Sequence, residues 1–204
     1  MENISRLVSA GNHKLPNTTA IFNMGEAKTC PSLKLGLCQA YVSGKCVCYA
    51  MKAEIQYYNT VPLYRQRQEK YWKATTAEQF TTELLAFNKR KRNKFTALRL
   101  NESGDFWTQE CIDKAEKIAG ILSKRSIRTY AYTGRRDLDF SKCKYLVVSG
   151  SGFKTYGMKG IFTMITDLKD KQKGYGICCG HCGGWKNSGC KRCLVGSKTV
   201  ILKH

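Results

Sequence analysis

The feature that most constrains this chain is a group of four cysteines within residues 30–48. They lie in the stretch CPSLKLGLCQAYVSGKCVCYA, in which a proline and two glycines interrupt regular structure. The residues that follow Cys48 are good helix formers, so the last of these cysteines lie where a loop enters a helix. The positive end of a helix favours thiolates and bound anionic groups. The loop therefore predicts a metal ion or a metal cluster. Its four cysteines are Cys30, Cys38, Cys46 and Cys48.

A second group of cysteines lies near the end of the chain, and only Cys111 and Cys143 stand alone among the eleven. The N-terminus has no apolar segment typical of a secretory signal, which predicts a cytoplasmic protein. Disulfides are rare in a reducing compartment, and clustered cysteines there more often bind metal. We therefore interpret both groups as metal ligands. The second group consists of Cys178, Cys179, Cys182, Cys190 and Cys193.

The two groups differ in the spacing of their cysteines. Cys179–Cys182 and Cys190–Cys193 are C-x-x-C pairs joined by a glycine-rich link, the usual pattern of a tetrahedral site for zinc, with an iron–sulfur cluster as the alternative. The first group has the irregular spacing C-x7-C-x7-C-x-C. Three of its thiolates could hold a 4Fe–4S cluster and leave one iron open, or all four could close a structural site.

Strands alternate with helices through residues 18–166, which predicts an α/β fold with parallel pairing. The predicted strands are 18–24, 95–101, 127–133, 144–149 and 160–166. The predicted helices are 48–58, 62–72, one that opens at a capping box in 76–79, and 108–124. Residues 1–17 look irregular and polar. The later connections are too short for helices, so we expect a partial (β/α) barrel or an open, mostly parallel sheet.

Two domains are predicted from this pattern. Residues 1–170 form the α/β domain, and residues 171–204 form a cysteine-rich metal-binding tail whose last apolar stretch returns to the sheet. No apolar run approaches the length of a membrane span, so no membrane contact is expected. Three histidines offer few bases for a hydrolase triad, and no phosphate-binding loop of the Walker type is present.

The net charge of the chain is +20, from 35 Lys and Arg against 15 Asp and Glu. Such a basic chain favours a polyanionic partner, DNA or RNA in the first place, although lysine-rich codon usage would give the same charge. The run KRKRNK at 89–94 is one candidate for phosphate contacts, and its alternative is a solvated helix end.

Several of these segments together resemble the bacteriophage gene product 88 domain family. They are GNHKLPNTTAIFNM, TCPSLKLGLCQAYVSGKCVCYA, the stretch LRLNESGDF at 98–106, and YAYT at 130–133. The resemblance spans nearly the whole chain, including its cysteine-rich end. It implies a distant relative of the radical S-adenosylmethionine enzymes, with a cysteine triad after the first strand of a partial α/β barrel.

By this resemblance Cys30, Cys38 and Cys48 would be the cluster ligands, and Cys46 would be an extra cysteine. Ser103, Gly104 and Asp105 would lie where such enzymes hold the amino group of S-adenosylmethionine. The spacing here is much longer than the usual C-x3-C-x2-C. We expect an iron–sulfur metalloprotein that acts on nucleic acid. The alternatives are a non-enzymatic nucleic-acid-binding protein with structural zinc or iron–sulfur sites, and a host-interaction protein.

The charge generates a first testable prediction, which is salt-sensitive binding to DNA or RNA with little sequence preference. Lysines that neutralise phosphates release counterions, so the affinity should fall steeply between low and moderate salt. A salt titration with a labelled oligonucleotide measures this. Binding that is absent at low salt, or that does not change with salt, would remove the prediction.

Overall fold

The computed structural model describes residues 2–12, 14–165, 167–178 and 192–202. The strands are β1 (Ser9–Ala10), β2 (Thr19–Phe22), β3 (Tyr41–Val42), β4 (Lys45–Cys46), β5 (Ala97–Leu100), β6 (Arg128–Thr133), β7 (Val147–Ser151), β8 (Gly160–Ile165), β9 (Gly176–Ile177) and β10 (Lys198–Leu202). The α-helices are α1 (Pro31–Lys34), α2 (Tyr49–Gln56), α3 (Val61–Ala74), α4 (Ala77–Arg90), α5 (Gln109–Ser123) and α6 (Arg192–Val195).

Eight of these strands form one sheet in the order β1-β2-β5-β6-β7-β8-β10-β9. Every pairing in it is parallel except that of β1 with β2. The prediction of a mixed α/β fold with a mostly parallel sheet is confirmed. A cysteine-rich metal-binding appendage is not seen in the described residues, since most of the predicted tail lies outside them.

The strand order places the helices on one face of the sheet. From β2 to β8 the chain advances to the adjacent strand each time it returns to the sheet. Right-handed crossovers that always advance in one direction put their helices on the same side. Leu98 and Leu100 of β5 accordingly share the main core with residues of α4 and α5. The opposite face, which we call the inner face, carries Arg99 and Tyr130 side by side.

Aromatic side chains form the centre of the main core. The ring of Phe80 meets Phe22 edge-on at 5.0 Å between centroids and Trp72 at 5.6 Å. All three side chains are almost completely buried. Phe80 lies in the first turn of α4, whose start is fixed by the predicted capping box. In this box the side chains of Thr76 and Gln79 each bond to the other residue's backbone N–H.

The prediction that residues 1–17 are irregular was wrong. A 3₁₀ helix, Ile4–Arg6, precedes β1, and the side chains of Ile4 and Leu7 are fully buried. The carbonyl of Leu7 accepts hydrogen bonds from Tyr64 at 2.8 Å and from Gln68 at 2.6 Å. This segment is too short to show a helical or strand period, and its structure depends on contacts with α3.

Substitution of Phe80 by Ala should destabilise the protein by about 3–5 kcal/mol, because the cavity would open among large rings that cannot collapse into it. Thermal or urea unfolding measures the change. Tyr156→Ala, at a side chain that is 85% exposed, is the control and should leave stability nearly unchanged. A loss below about 1 kcal/mol for Phe80→Ala would contradict the central role of this cluster.

Candidate metal centre and ligand site

A buried ion pair holds both ends of the cysteine loop. The carboxylate of Glu54 accepts hydrogen bonds from the N–H groups of Ala27 at 2.7 Å and Lys28 at 3.2 Å, just before the loop begins. The same carboxylate pairs with Arg65 at 2.6 Å. Arg65 also donates to the carbonyl of Ala50 at 2.9 Å, just after the loop ends. Helices α2 and α3 thus clamp the loop at its two ends.

The carboxylate of Asp105 attaches α1, at the start of the loop, to the sheet. Its Oδ2 accepts from Ser32 Oγ at 2.6 Å and from the N–H of Gly134 at 2.8 Å. Its Oδ1 accepts from Thr133 Oγ1 and from the N–H of Phe106, both at 2.8 Å. Burial raises the pKa of Asp105, and the four donors oppose that rise. Asp105 therefore joins the cysteine loop to the ends of β5 and β6.

Two glycines allow the backbone segments to approach one another closely at this point. A Cβ atom on Gly134 would lie 3.1 Å from Ser32 Oγ and 3.5 Å from the Cβ of Cys38. Gly104 has a φ of +72°, and a Cβ there would lie 2.9 Å from the backbone nitrogen of Gly25. A side chain at Gly134 would push the loop away from the end of β6, and one at Gly104 would displace the segment at Gly25 that leads into the loop. The cysteine loop thus packs directly on the carboxyl edge of the parallel sheet, where ligands of α/β proteins usually bind.

Three of the four loop cysteines are electrostatic neighbours. Burial raises the pKa of Cys30 to about 12, and the nearby charges of Asp105 and Cys38 raise it as well. Desolvation raises the pKa of Cys38, followed by the charges of Cys48 and Asp105. Cys46 instead directs its thiol to the carbonyl of Cys48 at 3.6 Å. Electrostatic contacts thus connect Cys30, Cys38 and Cys48, whereas the thiol of Cys46 meets the backbone of Cys48.

The described side chains do not form a ready site for a single metal ion. Among the described residues, no three side chains of His, Cys, Asp or Glu converge as ligands of a single metal ion. A zinc site surrounds one ion with its thiolates, whereas each thiolate of a 4Fe–4S cluster binds a separate iron and the sulfurs lie further apart. Cys30, Cys38 and Cys48 supply three soft thiol donors within one loop, a donor type that both zinc and iron–sulfur clusters use.

Unpartnered polar groups lie at the end of β5, beside Asp105. Ser103 is 2% exposed and Asn101 is 5% exposed. Within the described part of the chain, neither the Ser103 hydroxyl nor the Asn101 amide has a hydrogen-bond partner. The N–H of Ser103 is held by Asn23 Oδ1 at 2.8 Å, so the turn itself is fixed. Buried polar groups without partners are costly, which makes this turn a candidate site for a polar ligand.

The sequence interpretation missed Asn101 and Tyr49 as members of this site. Asn101 has a φ of +58°, a conformation that asparagine tolerates better than most residues, and its position after a strand was the available signal. Tyr49, the residue after Cys48, donates its hydroxyl to the carbonyl of Glu102. Arg99 donates to the same hydroxyl at 3.1 Å. These contacts tie the start of α2 to the end of β5.

The predicted ligands of the tail are only partly described. Cys179, Cys182 and Cys190 lie outside the described residues. The N–H of Cys178 donates to the carbonyl of Val200 in β10 at 2.8 Å. Cys193, in α6, is hydrogen-bonded to Tyr132 on the inner face, and burial followed by the Cys193 charge raises the pKa of Tyr132. The tail therefore covers part of the face that the large helices leave open.

The fold and the site define a class, an α/β protein whose cysteine-rich loop lies on the carboxyl edge of a parallel sheet. The chain belongs to the gene product 88 family, whose sequence profile matches residues 3–151. The match includes the cysteine loop and the Asp105 turn. No similar curated protein and no similar solved structure was found. None of the described helices is both long and apolar enough to cross a membrane.

Substitution of Asp105 by Asn should loosen the cysteine loop and destabilise the fold by about 1–3 kcal/mol. The amide nitrogen that replaces one oxygen cannot accept from the N–H of Gly134 or Phe106. Alkylation of Cys30, followed by mass spectrometry, should become faster, and unfolding measures the stability loss. Asp113→Asn, at an exposed position of α5, is the matched control. Equal alkylation rates in both variants would show that Asp105 does not hold the loop.

Proposed function

We propose that the loop binds an iron–sulfur cluster through Cys30, Cys38 and Cys48, and that the loaded protein acts on S-adenosylmethionine in the cytoplasm. The observation that carries the proposal is the packing of the loop on the carboxyl ends of β5 and β6, where Ser32 bonds to Asp105 at 2.6 Å and the Cβ of Cys38 lies 3.5 Å from a Cβ position at Gly134. Cys30 and Cys48 are electrostatic neighbours of Cys38 there. A bound cluster with three protein ligands would supply an open iron for the cofactor and an electron for its cleavage.

The chain's own residues would divide the remaining tasks. Asp105 is a positioning residue, because all four of its hydrogen bonds go to protein donors and none remains for a cofactor. The Ser103 hydroxyl and the Asn101 amide are the free polar groups nearest to it in sequence. They would accept from the amino group and donate to the carboxylate of the bound cofactor. Gly104 lets the turn approach Gly25, in the segment that leads into the loop.

A second metal centre in the tail belongs to the same proposal. The paired C-x-x-C spacing of Cys179–Cys182 and Cys190–Cys193 supports it, with Cys178 as a further ligand. Either zinc or an iron–sulfur cluster satisfies that spacing. The metal content of protein purified without oxygen, before and after Cys190→Ala, distinguishes the two metals.

The loop cysteines should differ in their effect on iron. After anaerobic reconstitution, Cys48→Ala should lose the loop cluster, whereas Cys46→Ala should retain most of its iron and sulfide. Ser103→Ala should keep the iron and bind S-adenosylmethionine more weakly in calorimetry, by about tenfold for one lost hydrogen bond in a buried site. Reduced protein should produce 5′-deoxyadenosine.

Three results would contradict parts of this proposal. A reconstituted cluster that binds no S-adenosylmethionine would leave a structural cluster and remove the enzymatic activity. Equal iron loss in Cys46→Ala and Cys48→Ala would show that four thiolates close the site. Zinc, with no iron after anaerobic purification and reconstitution, would favour a non-enzymatic metalloprotein.

A further inference from the structure

Exposed aromatic and aliphatic side chains are concentrated around the cysteine loop. Of the fourteen large hydrophobic side chains that are exposed among the described residues, eight lie within residues 35–63. They are Leu35, Tyr41, Val42, Tyr49, Ile55, Tyr57, Tyr58 and Leu63. Isolated exposed apolar residues are ordinary, but a concentration in one segment marks an interaction surface. We call residues 34–58 the Tyr–Lys surface.

The exposed charged side chains of this segment are all positive. Between residues 27 and 68 the only carboxylate is Glu54, which is buried in its ion pair with Arg65. The lysines there are exposed, and no acidic side chain of the segment accompanies them at the surface. These lysines are Lys28, Lys34, Lys45 and Lys52. The segment therefore offers positive charge that its own residues do not neutralise.

Local structure interleaves the rings with the lysines. The hairpin of β3 and β4 pairs Val42 with Lys45, and both of these side chains are exposed, as is that of Tyr41. On α2, Tyr49, Lys52 and Ile55 are exposed, whereas Ala50, Met51 and Glu54 face inward. Strand β4 packs against α2, which brings the hairpin and the helix into one surface.

We infer that the Tyr–Lys surface binds single-stranded nucleic acid. Exposed tyrosine rings can stack on unpaired bases, and lysines between them can neutralise the phosphates that link those bases. In a duplex the bases are already stacked and paired, so the rings would find no partner. A second copy of this chain is disfavoured as the occupant, because its net charge is also +20.

The surface also adjoins the candidate metal centre, since Tyr49 donates its hydroxyl to the carbonyl of Glu102 just after β5. Cys38 and Cys46 lie between its aromatic and basic residues in sequence, and Cys48 immediately precedes Tyr49. A bound strand would therefore lie beside the site at the carboxyl edge of the sheet. The idea that the bound nucleic acid is a substrate rests on the function proposed above, whereas binding of the nucleic acid does not require a cluster.

Fluorescence anisotropy with a labelled single-stranded oligonucleotide tests the inference. Tyr41→Ala and Tyr58→Ala should each weaken binding by about tenfold, as expected for one lost stacking contact. The double variant Lys45→Gln/Lys52→Gln should weaken binding and reduce the slope of log affinity against log salt by about 1.4, or about 0.7 for each lost phosphate contact on a single strand. A duplex of the same sequence should bind more weakly than the single strand.

A matched control lies at another exposed group of tyrosine and lysine. Lys142 and Lys144 are exposed beside Tyr145, which is 54% exposed. A carboxylate lies at this group, since Glu116 accepts hydrogen bonds from the N–H groups of Lys144 at 2.9 Å and Tyr145 at 3.0 Å. Tyr145→Ala and Lys142→Gln/Lys144→Gln remove the same ring and the same charge, and should leave the affinity and the salt slope almost unchanged.

The outcomes separate this inference from the proposed function. Equal weakening in the surface variants and the matched controls would overturn it, as would loss of binding only when Lys89 and Lys94 are replaced by Gln. Thermal unfolding confirms that each variant is folded. Binding is measured on protein with and without reconstituted iron, so absence of a cluster does not affect the result. Single-stranded RNA and single-stranded DNA of the same sequence, measured in parallel, show which backbone is preferred. If neither binds to the unsubstituted protein, the inference is removed.

Discussion

The arrangement of the candidate site depends on one buried carboxylate. Asp105 is 4% exposed and accepts four hydrogen bonds, from the cysteine loop, from the end of β6 and from its own turn. A buried charge is costly unless it is fully hydrogen-bonded, so the four donors must stay together for the carboxylate to remain buried. The loop has little regular structure of its own beyond the four residues of α1 and the two-residue strands β3 and β4. Its position is therefore set by Asp105, which holds α1, and by the Glu54–Arg65 pair at the two ends of the loop.

The one-sided placement of the helices explains why this site can be open to ligands. Strands that always advance in one direction put α4 and α5 on the same face of the sheet. The inner face then carries the Arg99 guanidinium 5.5 Å from the centre of the Tyr132 ring, in place of a second layer of large helices. The described part of the tail covers only a section of that face, through contacts of α6 with β6 and β7. The carboxyl edge of β5 lies next to the cysteine loop, and its Ser103 and Asn101 side chains have no hydrogen-bond partner within the described part of the chain.

The two proposals concern adjoining parts of the same loop. Cys30 and Cys38 lie within the electrostatic reach of Asp105 at the strand ends, whereas Lys34, Tyr41 and Lys45, which alternate with the loop cysteines in sequence, are exposed to solvent. Alternation of this kind lets a short segment hold a metal centre on one side and contact a polyanion on the other. The buried Glu54–Arg65 pair contributes to both, because it fixes the loop and also removes the segment's only negative charge from the surface.

The sequence by itself determined the α/β class, the parallel strands and the helices with clear local signals, such as the capping box of α4 and the apolar face of α5. It also determined that the cysteines of residues 30–48 precede a helix. Only the tertiary structure decided that Ile4 and Leu7 belong to the core, that Asp105 is saturated by protein donors, and that the thiol of Cys46 meets the carbonyl of Cys48. The physical reason is range: caps and apolar periods act within a few neighbouring residues, whereas Ser32 meets Asp105 across 73 positions, a contact that exists only when the loop and the sheet have come together.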